Sequence, residues 1–312
     1  MMENCGDTAP PVLSVDRISI RFRQYEAGWK QREFTVMQDI SLAIDAGQIV
    51  AVVGASGSGK SLLAHAVLGI LPGNAQMGGT IRYCGQALTE ERLAVLRGRE
   101  IALIPQAVTY LDPTMKIGRQ VQGLYGSLAE QRQALARYGL ADGIAGQYPF
   151  SLSGGMARRV LIATAVMGQA RLIIADEPTP GLDQQATAEV AGHFRSLADE
   201  GRAVMLITHE LDLACRIADK IAVFCGGTIL EIAAADDFRQ GAEALRHPYS
   251  RALWQALPQN GFHSGGNFKP AVGPEVSGCL FADCCQEKSE ACLGEIKLRQ
   301  LRNGMVRCVH AT

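Results

Sequence analysis

Eight residues, GASGSGKS at 54–61, constrain this chain more than any other stretch. Gly54 is followed, after four residues, by Gly59, Lys60 and Ser61; the apolar run IVAVV (49–53) precedes the group and LLAHAVLGIL (62–71) follows it. That order predicts a buried strand, a glycine-rich turn and a helix, the arrangement of a phosphate-binding loop. Backbone N–H groups in such a turn must face inward around phosphate oxygens, and a side chain at Gly57 or Gly59 would block that approach. Lys60 supplies positive charge, and the helix starting beside it adds the positive end of its dipole. Ser61 is placed to ligate Mg²⁺. Gly54, Ala55, Ser56, Gly57, Ser58, Gly59, Lys60 and Ser61 are therefore expected to cradle the phosphates of a nucleotide.

Composition narrows what surrounds this loop. A chain of 312 residues with 47% hydrophobic content can bury one sizeable core plus an appendage, or two domains. Its longest apolar runs, such as 49–53 and 160–167, fall short of the roughly 18 residues of a membrane-spanning helix. The start, MMENCGDTAPP, shows neither a basic n-region nor an apolar h-region, so the expected compartment is the cytoplasm. A net charge of -1 with interspersed signs leaves no electrostatic footprint for nucleic acid. Nine cysteines argue against a complete disulfide framework, and the five after residue 278 require a separate explanation.

Along the chain, VLSVDRISIRF (12–22) and MQDISLAIDAG (37–47) read as strands of a small antiparallel layer. From about 90 to 167 apolar residues recur three and four apart, which predicts a helical insert. RLIIADEP and RAVMLITHE then read as buried parallel strands with chemistry at their carboxyl ends. Strands at 220–225 and 228–232 flank Gly226-Gly227, a hairpin turn, and the core is expected to end near residue 240.

Two carboxylates follow the apolar run 172–175. Asp176 is placed to bind Mg²⁺ beside the phosphates. Alternation along the strand sends Glu177 elsewhere, where it can reach a water in line with the γ-phosphate as general base. His209, ending another strand, can donate to the γ-phosphate and orient that water. Gln106 offers an amide oxygen suited to Mg²⁺.

The order phosphate loop, Gln106, LSGGM (152–156), IIADEP (173–178), PGLD (180–183) and Thr208-His209 resembles the nucleotide-binding subunits of the ATP-binding cassette (ABC) family over about residues 12–240. LSGG discriminates, because many phosphate-loop enzymes share the other elements. The resemblance implies an α/β P-loop fold with a mixed sheet core, an antiparallel β layer and a helical subdomain at about 90–167, and it implies ATP and Mg²⁺ as ligands, with Ser61, Gln106 and Asp176 on the metal. It further implies a head-to-tail pair of cassettes in which Ser153, Gly154 and Gly155 serve the ATP held by the partner. Ser-Gly-Gly before a helix presents free N–H groups to an anion, which agrees. Asp183 corresponds to the loop coupling the two sites, and Gln106 to the element coupling nucleotide to transport. Met156 stands where glutamine is commoner, and Pro180-Gly181 replaces a pair of small residues. Neither Tyr25 nor Trp29 aligns as an adenine contact, which is left unassigned.

HPYSRALWQALP (247–258) and, more loosely, GILPG (69–73) resemble the oligopeptide, dipeptide and nickel uptake branch. The implied role is ATP hydrolysis for an importer of peptides or nickel-type complexes, at the cytoplasmic face of the inner membrane. Implied partners are a paralogous ATPase subunit, two membrane permeases and, indirectly, an extracytoplasmic substrate-binding protein. The alternative is a soluble cassette ATPase acting on ribosomes or DNA, which typically carries two cassettes or a long coiled-coil insert. The same branch continues into a cysteine tail over 241–312, and Cys279, Cys285, Cys292 and Cys308 fall on its four positions, while Cys284 takes a place usually held by arginine. Four thiolates suit a [4Fe–4S] cluster or Zn²⁺; the lack of tight C-x₂-C pairs favours iron–sulfur.

Overall fold

The computed structural model describes residues 9–25, 31–123, 126–167, 170–261 and 278–312. Its first strands, β1 (Leu13–Tyr25) and β2 (Gln31–Ile44), pair antiparallel. After β3 (Ile49–Val53) and α1 (Lys60–Leu68), the chain returns through β4 (Ala75–Tyr83) and β5 (Gln86–Ala87), completing a four-stranded layer in the order β2-β1-β4-β5. Next come α2 (Glu90–Leu96), β6 (Ile101–Ile104), α3 (Ile117–Gln122), α4 (Leu128–Arg137) and α5 (Gly154–Val166). The core resumes with β7 (Leu172–Asp176), α6 (Gln184–Asp199), β8 (Ala203–Thr208), α7 (Leu211–Ile217), β9 (Lys220–Cys225) and β10 (Thr228–Ala234). Helices α8 (Ala235–Gln240) and α9 (Pro248–Gln255) and strands β11 (Arg299–Leu301) and β12 (Gly304–Val306) end the chain.

The second sheet runs β11-β12-β10-β9-β3-β8-β7-β6. Strands from β9 to β6 are parallel, and β10, β12 and β11 extend them antiparallel. The parallel strands read as continuous apolar runs because both of their faces are covered. On β3, Ile49, Ala51 and Val53 face a core shared with α5, α6 and α7, while Val50 and Val52 face one shared with α1 and the antiparallel layer. This two-residue alternation sandwiches the loop after β3 between both cores.

Two differences from the sequence-based expectation have physical causes. The span expected to be helical from Glu90 contains β6, a four-residue strand parallel to β7; a run so short carries no period to separate it from a helix turn. The tail, in turn, is joined to the sheet. Glu231, fully buried on β10, accepts from the backbone N–H of Arg246 (2.9 Å) and of His247 (2.8 Å), and Arg246 also pairs with Asp237 at 2.8 Å. Leu245, Tyr249 and Phe281 belong to the main core, and β12 adds to β10. Among the described residues no helix is long and apolar enough to cross a membrane.

Candidate nucleotide site and cysteine cluster

The carboxyl ends of β3, β7 and β8 bring the expected residues together. Gly57 and Gly59 adopt positive φ (75° and 97°), which a side chain would strain, and Gly59 caps α1. Gly54 is required for a different reason: a Cβ there would lie 2.2 Å from the carbonyl oxygen of Phe224 on β9, so the loop's entry is set by sheet packing. Lys60 is 4% exposed, and its ammonium donates to the carbonyls of Gly54 (2.9 Å) and Ala55 (2.8 Å). Burial pulls the Lys60 pKa below its usual range, and the charges of Glu177 and Asp176 push it back up.

Ser61 Oγ donates to Asp176 Oδ1 at 3.0 Å, so two of the three expected Mg²⁺ ligands already meet. Burial raises the Asp176 carboxyl above the ordinary carboxylate range, against the Ser61 hydrogen bond. Glu177 lies just beyond β7 and has φ 48°, the left-handed region that costs an L-residue about 1 kcal/mol or more. Its divergence from Asp176 therefore comes from this backbone turn, not from strand alternation. The Glu177 N–H donates to Ile207 O (2.9 Å), its Oε1 lies 3.8 Å from Lys60 Nζ, and its Oε2 meets His209 Nδ1 at 2.6 Å. A second bridge runs parallel: Thr179 Oγ1 donates to Glu210 Oε1 at 2.5 Å, beside His209. Sequence gave no pointer to Thr179 except its position two residues after Glu177.

The remaining expected residues stand apart from this group. Gln106 is exposed after β6, the strand beside β7. Ser153 and Gly154 are exposed at the start of α5, where Ser153 Oγ accepts from Met156 N at 3.3 Å as N-cap. Asp183 caps α6 through Ala186 N at 2.8 Å. Trp29 lies outside the described residues. Near the loop, Val36 Cγ1 is 3.6 Å from where a Cβ on Gly59 would sit, and Phe34, two residues earlier, stacks on Phe22 with centroids 5.7 Å apart.

In the tail, Cys279, Cys285 and Cys308 lie within electrostatic reach of neighbouring thiols. Burial raises the Cys279, Cys285 and Cys308 thiols, backbone N–H groups pull them partly back, and neighbouring thiols raise them again; Cys284 is exposed. The Cys279 N–H donates to Cys292 O at 2.8 Å, and Cys279 Sγ lies 3.9 Å from His247 Nε2. Among the described residues no three His, Cys, Asp or Glu side chains are set to close on a metal ion.

Residues 37–180 match the ABC transporter family, and residues 230–292 match the oligopeptide/dipeptide transporter C-terminal region. The dipeptide transport ATP-binding protein DppD of Escherichia coli is 34% identical over 307 residues, covering 91% of each chain. The chain belongs to the ABC transporter ATP-binding family. A second relative of this ABC chain, the oligopeptide transport ATP-binding protein OppD of Haemophilus influenzae, is 31% identical over 318 residues, covering 95% of this chain and 96% of that one. A bacterial ABC transporter cassette solved as a dimer shares the fold, with TM-score 0.63 and 21% identity over 72% of this chain and 98% of that one. The solved ATP-binding subunit of an ABC transporter matches with TM-score 0.60 and 26% identity over 73% and 92%. As an ABC ATPase the chain uses ATP.

Proposed function

We propose that this chain is the ATP-hydrolysing subunit of a multi-subunit peptide importer, docked on two membrane permeases at the cytoplasmic face of the inner membrane and paired with a paralogous ATPase subunit. The observation that carries it is the setting of Glu177, which lies between Lys60 at 3.8 Å and His209 at 2.6 Å beside a loop shaped for phosphate. Glu177 acts as general base on the attacking water, and His209 orients it toward the γ-phosphate. Lys60 neutralises phosphate charge. Gly54, Ala55, Ser56, Gly57, Ser58 and Gly59 offer backbone to the phosphates, and Mg²⁺, held by Ser61 and Asp176 with Gln106, supplies further charge neutralisation.

Ser153 and Gly154 are exposed and Gly155 is half-buried at a helix start, which suits contact with ATP on a partner subunit, and Asp183 couples the two sites. The match over 230–292 and the peptide transport names of the relatives favour peptides over a nickel complex as cargo, and an importer over a soluble ATPase acting on ribosomes or DNA. A substrate-binding protein outside the membrane would select cargo, acting on this chain only indirectly. Tyr110, Met115 and Phe150, exposed around the Gln106 loop and the signature, suit the permease face; Phe150 is 78% exposed and stacks on Tyr148. Cys279, Cys285, Cys292 and Cys308, which fall on the four cysteine positions of the branch, are the ligands this reading assigns to a [4Fe–4S] cluster or, in its place, Zn²⁺; the thiols would have to draw closer together to hold it, and the group would staple the tail.

The test is Glu177→Gln in the assembled transporter. ATP binding should persist while phosphate release falls at least about 10²-fold. Full turnover would remove Glu177 from this role.

A further inference from the structure

Helix α5 carries, just past its first turn, a cation whose burial the ATP site does not explain. Arg158 is 5% exposed, and among the described residues it has no carboxylate partner. Its Nη1 donates to the carbonyl oxygen of Pro105 at 2.9 Å. Hiding an unpaired guanidinium is costly, and an apolar side chain would fill the same space without that penalty. The one hydrogen bond it makes among the described residues is therefore informative.

The accepting carbonyl belongs to the planar peptide unit that also contains the nitrogen of Gln106. A donor fixed on that oxygen therefore constrains the plane from which Gln106 departs. At the other end, Arg158 sits five residues into α5 from Ser153, about 7.5 Å along a helix rising ~1.5 Å per residue. An α-helix transmits displacement over that distance as a rigid body. The signature residues and the Gln106 loop, separate in sequence, are thus joined by one side chain.

We propose that Arg158 is a positioning residue that ties the Gln106 peptide to the signature helix, so that movement of Gln106 toward the nucleotide carries Ser153, Gly154 and Gly155 with it. The inference rests on the proposed roles of Gln106 and of the signature. Arg158 touches neither nucleotide nor metal. Its hydrogen bond, not its charge, carries the coupling, so an amide in its place should serve where a thioether cannot.

The test is hydrogen exchange on the full chain with and without Mg²⁺ and a non-hydrolysable ATP analogue, for wild type, Arg158→Met and Arg158→Gln. All three should protect residues 54–61 on adding nucleotide. Wild type and Arg158→Gln should also change exchange over 154–166, whereas Arg158→Met should not. In the assembled transporter Arg158→Met should lower kcat at least tenfold with KM for ATP within twofold, and Arg158→Gln should recover most of it. Protection of 54–61 in Arg158→Met certifies that it is folded. An unaltered response over 154–166 in that variant overturns the proposal, as does Arg158→Gln behaving like Arg158→Met. Absence of protection at 54–61 in wild type would instead refute the nucleotide site itself, and the coupling with it.

Discussion

Replacing Glu231 by alanine should release the C-terminal segment from the sheet. The carboxylate is fully buried and accepts three hydrogen bonds: Arg246 N at 2.9 Å, Arg246 Nη1 at 3.3 Å and His247 N at 2.8 Å. Alanine would orphan two backbone donors and one arm of a guanidinium that is itself 2% exposed, leaving Arg246 with Asp237 and the Leu301 carbonyl. Removing one partner of a buried pair costs about 3–5 kcal/mol, and each orphaned buried donor about 1–3 kcal/mol. These losses do not add, because the segment can detach and let water reach the donors. A local loss of about 3–5 kcal/mol corresponds to a roughly 10²–10⁴-fold larger opening constant. Native-state hydrogen exchange reads this directly: amides of β12 and of α9 should accelerate by that factor, while those of β3 stay near wild-type rates. Glu231→Gln, which keeps an acceptor, should fall between the two. Wild-type exchange of β12 in Glu231→Ala would refute the reasoning, and an equal acceleration in β3 would mean that the segment is not a separable unit of stability.

Ser153→Arg should leave ATP binding at this subunit's own loop intact and block hydrolysis at the site its signature completes; a loss confined to its own loop, measured in mixed dimers, would contradict the head-to-tail pairing. Burial, then the nearby Arg137 charge, holds the His193 pKa below its ordinary value, and its Nδ1 has no partner among the described residues, so folding disfavours protonation of this ring. Below about pH 6.5 the unfolded chain takes up a proton that the fold resists, and stability should fall as pH drops. His193→Phe, which keeps a ring against Tyr138, should flatten that slope in urea titrations at pH 5 to 7, and equal slopes would discount the effect. Protein purified without oxygen should carry about four irons per chain and absorb broadly near 400 nm. Serine at Cys279, Cys285, Cys292 or Cys308 should abolish this and serine at Cys284 should not; neither iron nor zinc in wild type would leave plain thiols.

What could be read in the sequence was chemistry carried by contiguous residues. The stretch 54–61 needs inward backbone, a cation and a hydroxyl at fixed offsets, and those demands sit on neighbouring residues. The carboxyl ends of 172–176 and 203–208 were legible because strands covered on both faces are apolar up to the point where a polar residue emerges. By contrast, β11 and β12 are three residues each, too short to show a period, and their place beside β10 depends on Glu231, an acid on a strand that otherwise reads as apolar, and on Arg246, 15 residues further on and outside that strand.

Glu177 shows the same boundary at the level of one residue. Its identity as an acid beside Asp176 is plain in the sequence, yet the direction of its carboxylate follows from φ 48° and from the bond between its N–H and Ile207 O. Strand alternation would separate the two acids equally well on paper, but β7 ends at Asp176, so no pleat exists to do it. The left-handed turn is held by β8 and faces His209, which β8 itself delivers two residues beyond Ile207. The same short strand thus supplies both the restraint that aims the acid and the histidine that meets it, which is why the residue proposed as general base can occupy a strained conformation without drifting from the phosphate loop.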